Sequence, residues 1–340
     1  MGSEIQRKLA TIQRIEEVRD IENADAIQAY RVLGWWVVDK KDAHKVGDLV
    51  VYLSLDSWVP TELAAFLSKG QEPREYNGVK GERLRTVKLR GQVSQGLLLG
   101  LDALNGSEGI FGPAEEGDDL TELLGIQKWE PEIPAQLQGQ VRGMFPTSLI
   151  PKTDQERIQN CFPEIEAKGA VTYEVTMKLD GTSCTIFRWE GELRVCSRNL
   201  ELKVTDENKD NTLVAMAIKI GDRIPNGIAL QGEIWGESIQ GNKENIKGQR
   251  FSVFDMFDIK KHEYIPPSMR RHFCETRGID HVTVLVTACK APDSVDEGLA
   301  LADGPSIHAK LREGIVYKCN EDTSFSFKII SNEWLVRHKE

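Results

Sequence analysis

The sequence has no C-x-x-C pair, and none of its six cysteines (Cys161, Cys184, Cys196, Cys274, Cys289, Cys319) has a histidine at zinc-finger spacing. That excludes a structural zinc site and a disulfide framework, and leaves free thiols expected to be buried. Missing too are an apolar leader and any apolar run near the ~20 residues that cross a bilayer. Gln6 stands where a myristoylation signal has Ser or Thr, so the chain reads as soluble, intracellular and cytoplasmic, with no membrane contact. Excess positive charge is absent as well: 43 Lys and Arg face 53 Asp and Glu, for a net charge of -10. Such a chain does not coat nucleic acid by bulk electrostatics, so any nucleic-acid surface has to be local. One candidate is Lys80, Arg83, Arg85, Lys88 and Arg90, opposed by Glu82 alone; the alternative is a solvated charged face. The acidic stretch Glu115, Glu116, Asp118 and Asp119 reads as surface or linker.

What is present suffices for two ordinary domains in 340 residues. Alternating or β-branched apolar residues predict strands at Lys8 to Val18, Ala26 to Val38, Asp48 to Leu55, Arg83 to Leu89 and Gln95 to Leu101. With a short helix at Thr61 to Ser68, this suits an OB-type β-barrel, and an SH3-like barrel would read much the same. A Gly/Pro-punctuated stretch from Asn105 to Pro151 separates the halves. The expected domains are a barrel over residues 1–125 and a second domain over 126–340. In the second, a helix is predicted from Asp154 to Lys168, followed by strands at Val171 to Met177, Thr182 to Trp189 and Glu192 to Ser197, the last two joined by a Glu190-Gly191 turn. Further strands, at Ile228 to Trp235, Phe251 to Phe257, Val282 to Val286, Gly314 to Tyr317 and Phe325 to Ile329, alternate with helices. Those helices are predicted at Asp210 to Ile220, Pro267 to Arg277, Ser294 to Leu301 and Asn332 to Arg337. The fold class is α+β, with antiparallel sheets flanked by helices in the second domain.

The sharpest local feature is Lys178-Leu179-Asp180-Gly181, where a strand ends and a hairpin begins. Alone, this is a common turn beside a solvated lysine. Its company gives it weight: Ser197-Arg198, Gly232-Glu233, Phe254-Asp255, Glu313-Gly314-Ile315-Val316 and Phe327-Lys328 follow in order. These six elements resemble the motifs of the covalent nucleotidyltransferase superfamily, which comprises ATP-dependent DNA and RNA ligases and mRNA capping enzymes.

A lysine amine that attacks a nucleotide α-phosphorus must be unprotonated, and at its ordinary pKa only roughly one in 2,500 is so at pH 7. Burial and a nearby cation are expected to lower that pKa. The resemblance implies that Lys178 is the nucleophile that carries AMP, and that Asp180, Glu233 and Glu313 orient waters on Mg2+ or Mn2+. It further implies that Glu233 and Arg198 hold the ribose, Phe254 stacks on adenine, Val316 lines the nucleotide pocket and Lys328 contacts the α-phosphate. For Phe254 the alternative is a core strand residue, and for each carboxylate alone a surface acid. Two departures stand out. Ser326 replaces the first lysine of a Lys-x-Lys in the last motif, with Arg157 and Lys318 the candidates to compensate, and Met177 stands where some RNA ligases place a Glu that reads adenine.

Only Ile329 to Glu340 follow the last motif, and the barrel-like region comes first. This order is similar to RNA ligases of the Deinococcus radiodurans and Naegleria gruberi type, with an N-terminal OB module. The resemblance implies a monomeric, ATP-dependent enzyme that seals 3′-OH/5′-phosphate nicks in duplexes whose 3′-OH strand is RNA. The alternatives are a DNA ligase, a capping guanylyltransferase, or an OB-type nucleic-acid-binding protein whose catalytic half has decayed.

Overall fold

The computed structural model describes residues 8–104, 114–129 and 139–338. Much of the Gly/Pro stretch after Leu104 lies outside the described residues. The chain divides into two compact units, residues 1–132 with 335–340, and residues 133–334.

In the first unit the chain runs through β1 (Ala10–Arg14), β2 (Glu17–Asp20), β3 (Ile27–Val32), β4 (Trp35–Lys40), β5 (Leu49–Leu53), β6 (Ser57–Pro60) and the short helix α1 (Thr61–Ala64). It continues through β7 (Arg74–Tyr76), β8 (Val79–Arg83), β9 (Val87–Leu89), β10 (Gln92–Ser94), β11 (Leu97–Leu99) and β12 (Gln127–Lys128). The described strands form OB-like sheets in the orders β1-β5-β11, β2-β3-β4, β12-β6-β8-β7 and β10-β9 rather than one closed ladder. The stretch from Ala26 to Val38, predicted as one strand, is two: Leu33 turns through φ 54 and lets β3 fold back on β4. Likewise β8 ends at Arg83 and a separate β9–β10 hairpin begins at Val87. The β7–β8 hairpin turns at Asn77 and Gly78, both at positive φ, as its Asn-Gly sequence favours.

The second unit opens with β13 (Val141–Met144), β14 (Glu156–Arg157), α2 (Ile158–Ala167), β15 (Tyr173–Lys178), β16 (Thr182–Trp189), β17 (Glu192–Cys196) and β18 (Leu200–Leu202). It goes on through α3 (Thr212–Ile220), β19 (Ile228–Gly236), β20 (Gln249–Asp258), β21 (Glu263–Tyr264), α4 (Pro267–Arg277), β22 (Val284–Cys289) and α5 (Val295–Ala302). Last come β23 (Gly314–Cys319), β24 (Ser326–Ile330) and α6 (Asn332–His338), of which the residues from Leu335 on are counted with the first unit. A seven-stranded sheet has the order β13-β18-β17-β16-β19-β20-β21, and a five-stranded sheet the order β14-β24-β23-β15-β22. Strand alternation decides what each face carries. In the five-stranded sheet Tyr173, Val175, Ile315, Tyr317, Phe327 and Ile329 pack on Ile158 and Ile165 of α2 and Val295 of α5. Glu174, Thr176, Lys178, Val316, Lys318 and Lys328 occupy the opposite positions. In the seven-stranded sheet Ile186, Leu230, Ile234 and Val253 pack with Val214 and Ala217 of α3 and Cys274 of α4, and Gln231 and Glu233 take the other face. The ion pair of Lys318 with Asp255 on β20 joins these polar faces.

Among the described residues no helix is long and apolar enough to cross a membrane. All six cysteines are free, and five are buried.

Candidate active site

Lys178 ends β15, paired across the ladder with Gly314, the first residue of β23. Its Nζ lies 2.7 Å from Glu313 Oε1, with the lysine side chain 27% exposed and therefore reachable from solvent. Two glycines make the close approach possible. A Cβ on Gly181 would run into the Ile234 carbonyl and lie 2.9 Å from Glu233 Cγ, and one on Gly314 would run into the Ile329 carbonyl. The turn after Lys178 thus packs against the strand that carries Glu233. Asp180 Oδ2 is 2.9 Å from Lys243 Nζ, and Lys243 sits over the Trp334 ring at 4.2 Å from its centroid.

The electrostatics differ from the lowered lysine pKa that nucleophilic attack requires. Burial is the largest single influence on Lys178 and pulls its pKa down, but Glu313, Glu233 and Asp180 together outweigh it and hold the ammonium form. Burial pushes the Glu233 carboxyl up to about 8; Lys178 opposes this, and Glu313 and Asp180 add to it. So much negative charge around one amine is a site short of positive charge. Glu313 Oε2 is buried and accepts no hydrogen bond. Among the described residues no three acidic, cysteine or histidine side chains stand close enough to ligate a metal directly. The orphaned Glu313 oxygen and the surplus of carboxylates around Lys178 fit a hydrated Mg2+ or Mn2+.

Phe254 lies on β20 and is partly buried against Met177, Leu179, Trp235 and Val282. Two of those residues, Met177 and Leu179, flank Lys178 in sequence. Val316 pairs with Thr176 on one side and Lys328 on the other. Lys318, a candidate phosphate ligand from sequence, is instead buried in an ion pair with Asp255, its Nζ 4.8 Å from the Tyr264 ring centroid. Burial drives its amine down to about 7, and the touching Asp255 carboxylate opposes that shift.

A second group of cations gathers on Asp154. Its carboxylate lies 3.2 Å from Arg198 Nη2 and 3.7 Å from Lys328 Nζ. Arg157 is next to Lys328 through the parallel β14–β24 pairing. The sequence places Arg157 on a helix that begins near Asp154. In the structure Arg157 is extended, at φ -80 and ψ 142, and α2 starts only at Ile158. Ladder pairing with β24 overrides the helical pattern there.

In the other unit the basic cluster is partly spoken for. Lys80 bonds Glu72 at 2.9 Å. Arg83 bonds Asp56 at 2.6 Å and stacks on Trp129 at 4.0 Å. Arg85, Lys88 and Arg90 are exposed, the last two on the β9–β10 hairpin. Sequence reasoning missed Lys243, which lies in a loop with no pattern of its own, and Asp154, Glu174 and Arg270, whose partners are distant in sequence. Only Asn-rich turn chemistry from Asn242 to Asn245 marks the Lys243 loop in the sequence.

An OB-fold domain family model matches residues 9–101, and an RNA ligase family model matches residues 171–330. No curated protein matches. Among solved structures, Naegleria gruberi RNA ligase with PPi is 42% identical, with a TM-score of 0.83 over 98% of this chain and 99% of that one. A lysine-to-methionine variant of the Naegleria enzyme with AMP and Mn is also 42% identical, with a TM-score of 0.84 over 98% and 99% of the two chains. A lysine-to-alanine variant with ATP and Mn is 41% identical, with a TM-score of 0.83 over the same shares. Likeness of this extent, over a chain whose two halves match an OB fold and an RNA ligase domain, shows that the chain belongs to the RNA ligase family.

Proposed function

We propose that the protein is an ATP-dependent RNA ligase that seals 3′-OH/5′-phosphate nicks through AMP carried on Lys178. The observation that carries this reading is the Lys178 amine held at 2.7 Å by Glu313 within the field of Glu233 and Asp180. The Naegleria complexes with ATP, AMP and Mn support nucleotide and metal use. Asp180, Glu233 and Glu313 would hold a divalent cation, which would supply positive charge to neutralise the phosphates and lower the lysine pKa.

In the first step Glu313, the nearest acceptor, takes the ammonium proton. The Lys178 nitrogen attacks the α-phosphorus, the bond to pyrophosphate breaks, and a phosphoramidate forms. Phe254 stacks on the adenine, while Arg198 and Glu233 hold the ribose. Lys328, with Arg157 beside it, opposes the charge on the α-phosphate and the leaving pyrophosphate; Asp154 holds Lys328 until phosphate replaces it. In the second step the 5′-phosphate of the nick attacks the AMP phosphorus and releases Lys178. In the third the RNA 3′-OH attacks that 5′-phosphate and AMP leaves. The substrate is a nicked duplex with an RNA 3′-OH strand, and the enzyme works as a monomer. Six free cysteines fit an intracellular site of action.

Mass spectrometry after incubation with ATP and Mg2+ tests this reading. The expected result is one added AMP on Lys178, absent in Lys178→Ala, and chased by a nick with an RNA 3′-OH strand. A label on another residue, or joining by Lys178→Ala, overturns it. Labelling by GTP instead marks a capping enzyme, preference for a DNA 3′-OH strand a DNA ligase, and no label at all a binding protein.

A further inference from the structure

Phe254 owes its place to a break in the ladder. β19 and β20 pair Gln231 with Asp255 and then Gly232 with Val253, so Phe254 is the extra residue of a β-bulge. A buried carbonyl displaced from a ladder needs another donor. Arg270 Nη1, on α4, donates to the Phe254 carbonyl at 2.6 Å. Arg270 is 1% exposed. Its Nη2 donates to Glu174 Oε1 at 2.5 Å, and Arg271 forms an ion pair with the other Glu174 oxygen. Glu174 is fully buried on β15, four residues before Lys178 on the same face of that strand. One guanidinium thus ties the strand that ends in Lys178, in one sheet, to the bulge that carries the aromatic ring, in the other. A lysine has no planar fork with which to bond both acceptors at once.

We propose that Arg270, oriented by Glu174, is a positioning residue for the nucleobase: by holding the Phe254 carbonyl it fixes the bulge and sets the plane of the Phe254 ring relative to Lys178. This rests on the reading of Phe254 as the platform for the base. Arg270 acts on the nucleotide only through that ring, so its removal weakens base recognition while the chemistry at phosphorus persists. A purely structural ion pair would instead affect every nucleotide alike.

The test is single-turnover Lys178 adenylylation by the full chain, compared with labelling by a ribose 5′-triphosphate that lacks the base. Phe254→Ala is expected to raise the KM for ATP about tenfold, the order expected for one stacked base, and to leave the base-free substrate unaffected. If it does not, Phe254 is not the platform, and the reading beneath the proposal fails first. Given that effect, Arg270→Lys is expected to raise the KM for ATP severalfold with kcat and the base-free substrate unchanged, and to add nothing in combination with Phe254→Ala. Equal losses on both substrates, or losses that multiply in the double variant, would overturn the proposal. Glu174→Gln guards against a folding failure, since the amide oxygen still accepts from Arg270. Its expected result is a smaller loss of the same kind, and a folded Glu174→Gln with an unchanged preference for ATP over the base-free substrate would also overturn the proposal.

Discussion

Glu233 meets opposite demands. Burial lifts its carboxyl to about 8 from an ordinary 4.5, with Lys178 working against the shift. Because the folded state keeps a proton that the unfolded chain has already lost, stability should fall as pH rises between those two values. Replacing Glu233 by Gln should remove that dependence, which for one proton amounts to at most ~1.4 kcal/mol per pH unit. Urea melts of the two proteins between pH 5 and 8 check this, and parallel curves would mean that Glu233 titrates normally. The identity of the acids around Lys178 was legible as sequence motifs. Their joint effect on the lysine was not, because the sign of a pKa shift depends on distances between three carboxylates and one amine.

At the scale of elements, β23 joins the two motifs that matter most, since it runs from Glu313 beside Lys178 to the pairing with Lys328. Gly314 lets this strand lie against the Ile329 backbone. Gly314→Ala should therefore destabilise the protein by about 1–3 kcal/mol, as overpacking of a tight interior does. The urea midpoint should fall with an unchanged slope, whereas a wild-type midpoint would show that the strand yields without cost. Strands and helices of the second unit were largely readable from alternation and from helical spacing: Thr182–Trp189 and Pro267–Arg277 are found where the sequence predicts them. The errors share a cause. Arg157 reads as helical and is a strand residue because β24 offers a ladder partner, and Ala26 to Val38 reads as one strand because no Pro, Asn or Asp marks the turn at Leu33 and Gly34.

For the molecule as a whole, an acidic chain must concentrate whatever positive charge it offers to nucleic acid. Of the Lys80 to Arg90 cluster, Lys80 and Arg83 are engaged by Glu72 and Asp56, which leaves Arg85, Lys88 and Arg90 as the exposed set. Changing these three to Gln should weaken binding to a nicked duplex and reduce the salt slope of log K by up to ~3, near 0.9 per phosphate contact. Binding isotherms across a salt series measure this, and an unchanged slope would assign the hairpin to solvent. Arg83→Gln should act differently, lowering the melting temperature through the loss of Asp56 and Trp129 contacts rather than changing the salt slope.

By itself the sequence determined the order of the motifs and the OB-before-ligase arrangement and singled out Lys178 as the candidate nucleophile, because each depends on local patterns: strand alternation, a glycine beside a carboxylate, a lysine at a strand end. Tertiary structure alone decided that Lys318 is buried against Asp255, that Lys243 holds Asp180, and that Arg270 braces the Phe254 bulge. Each of these joins residues with no shared local pattern, from 16 places apart for Arg270 and Phe254 to far longer separations. Such pairings exist only once two sheets face each other, and no periodicity along the chain encodes them.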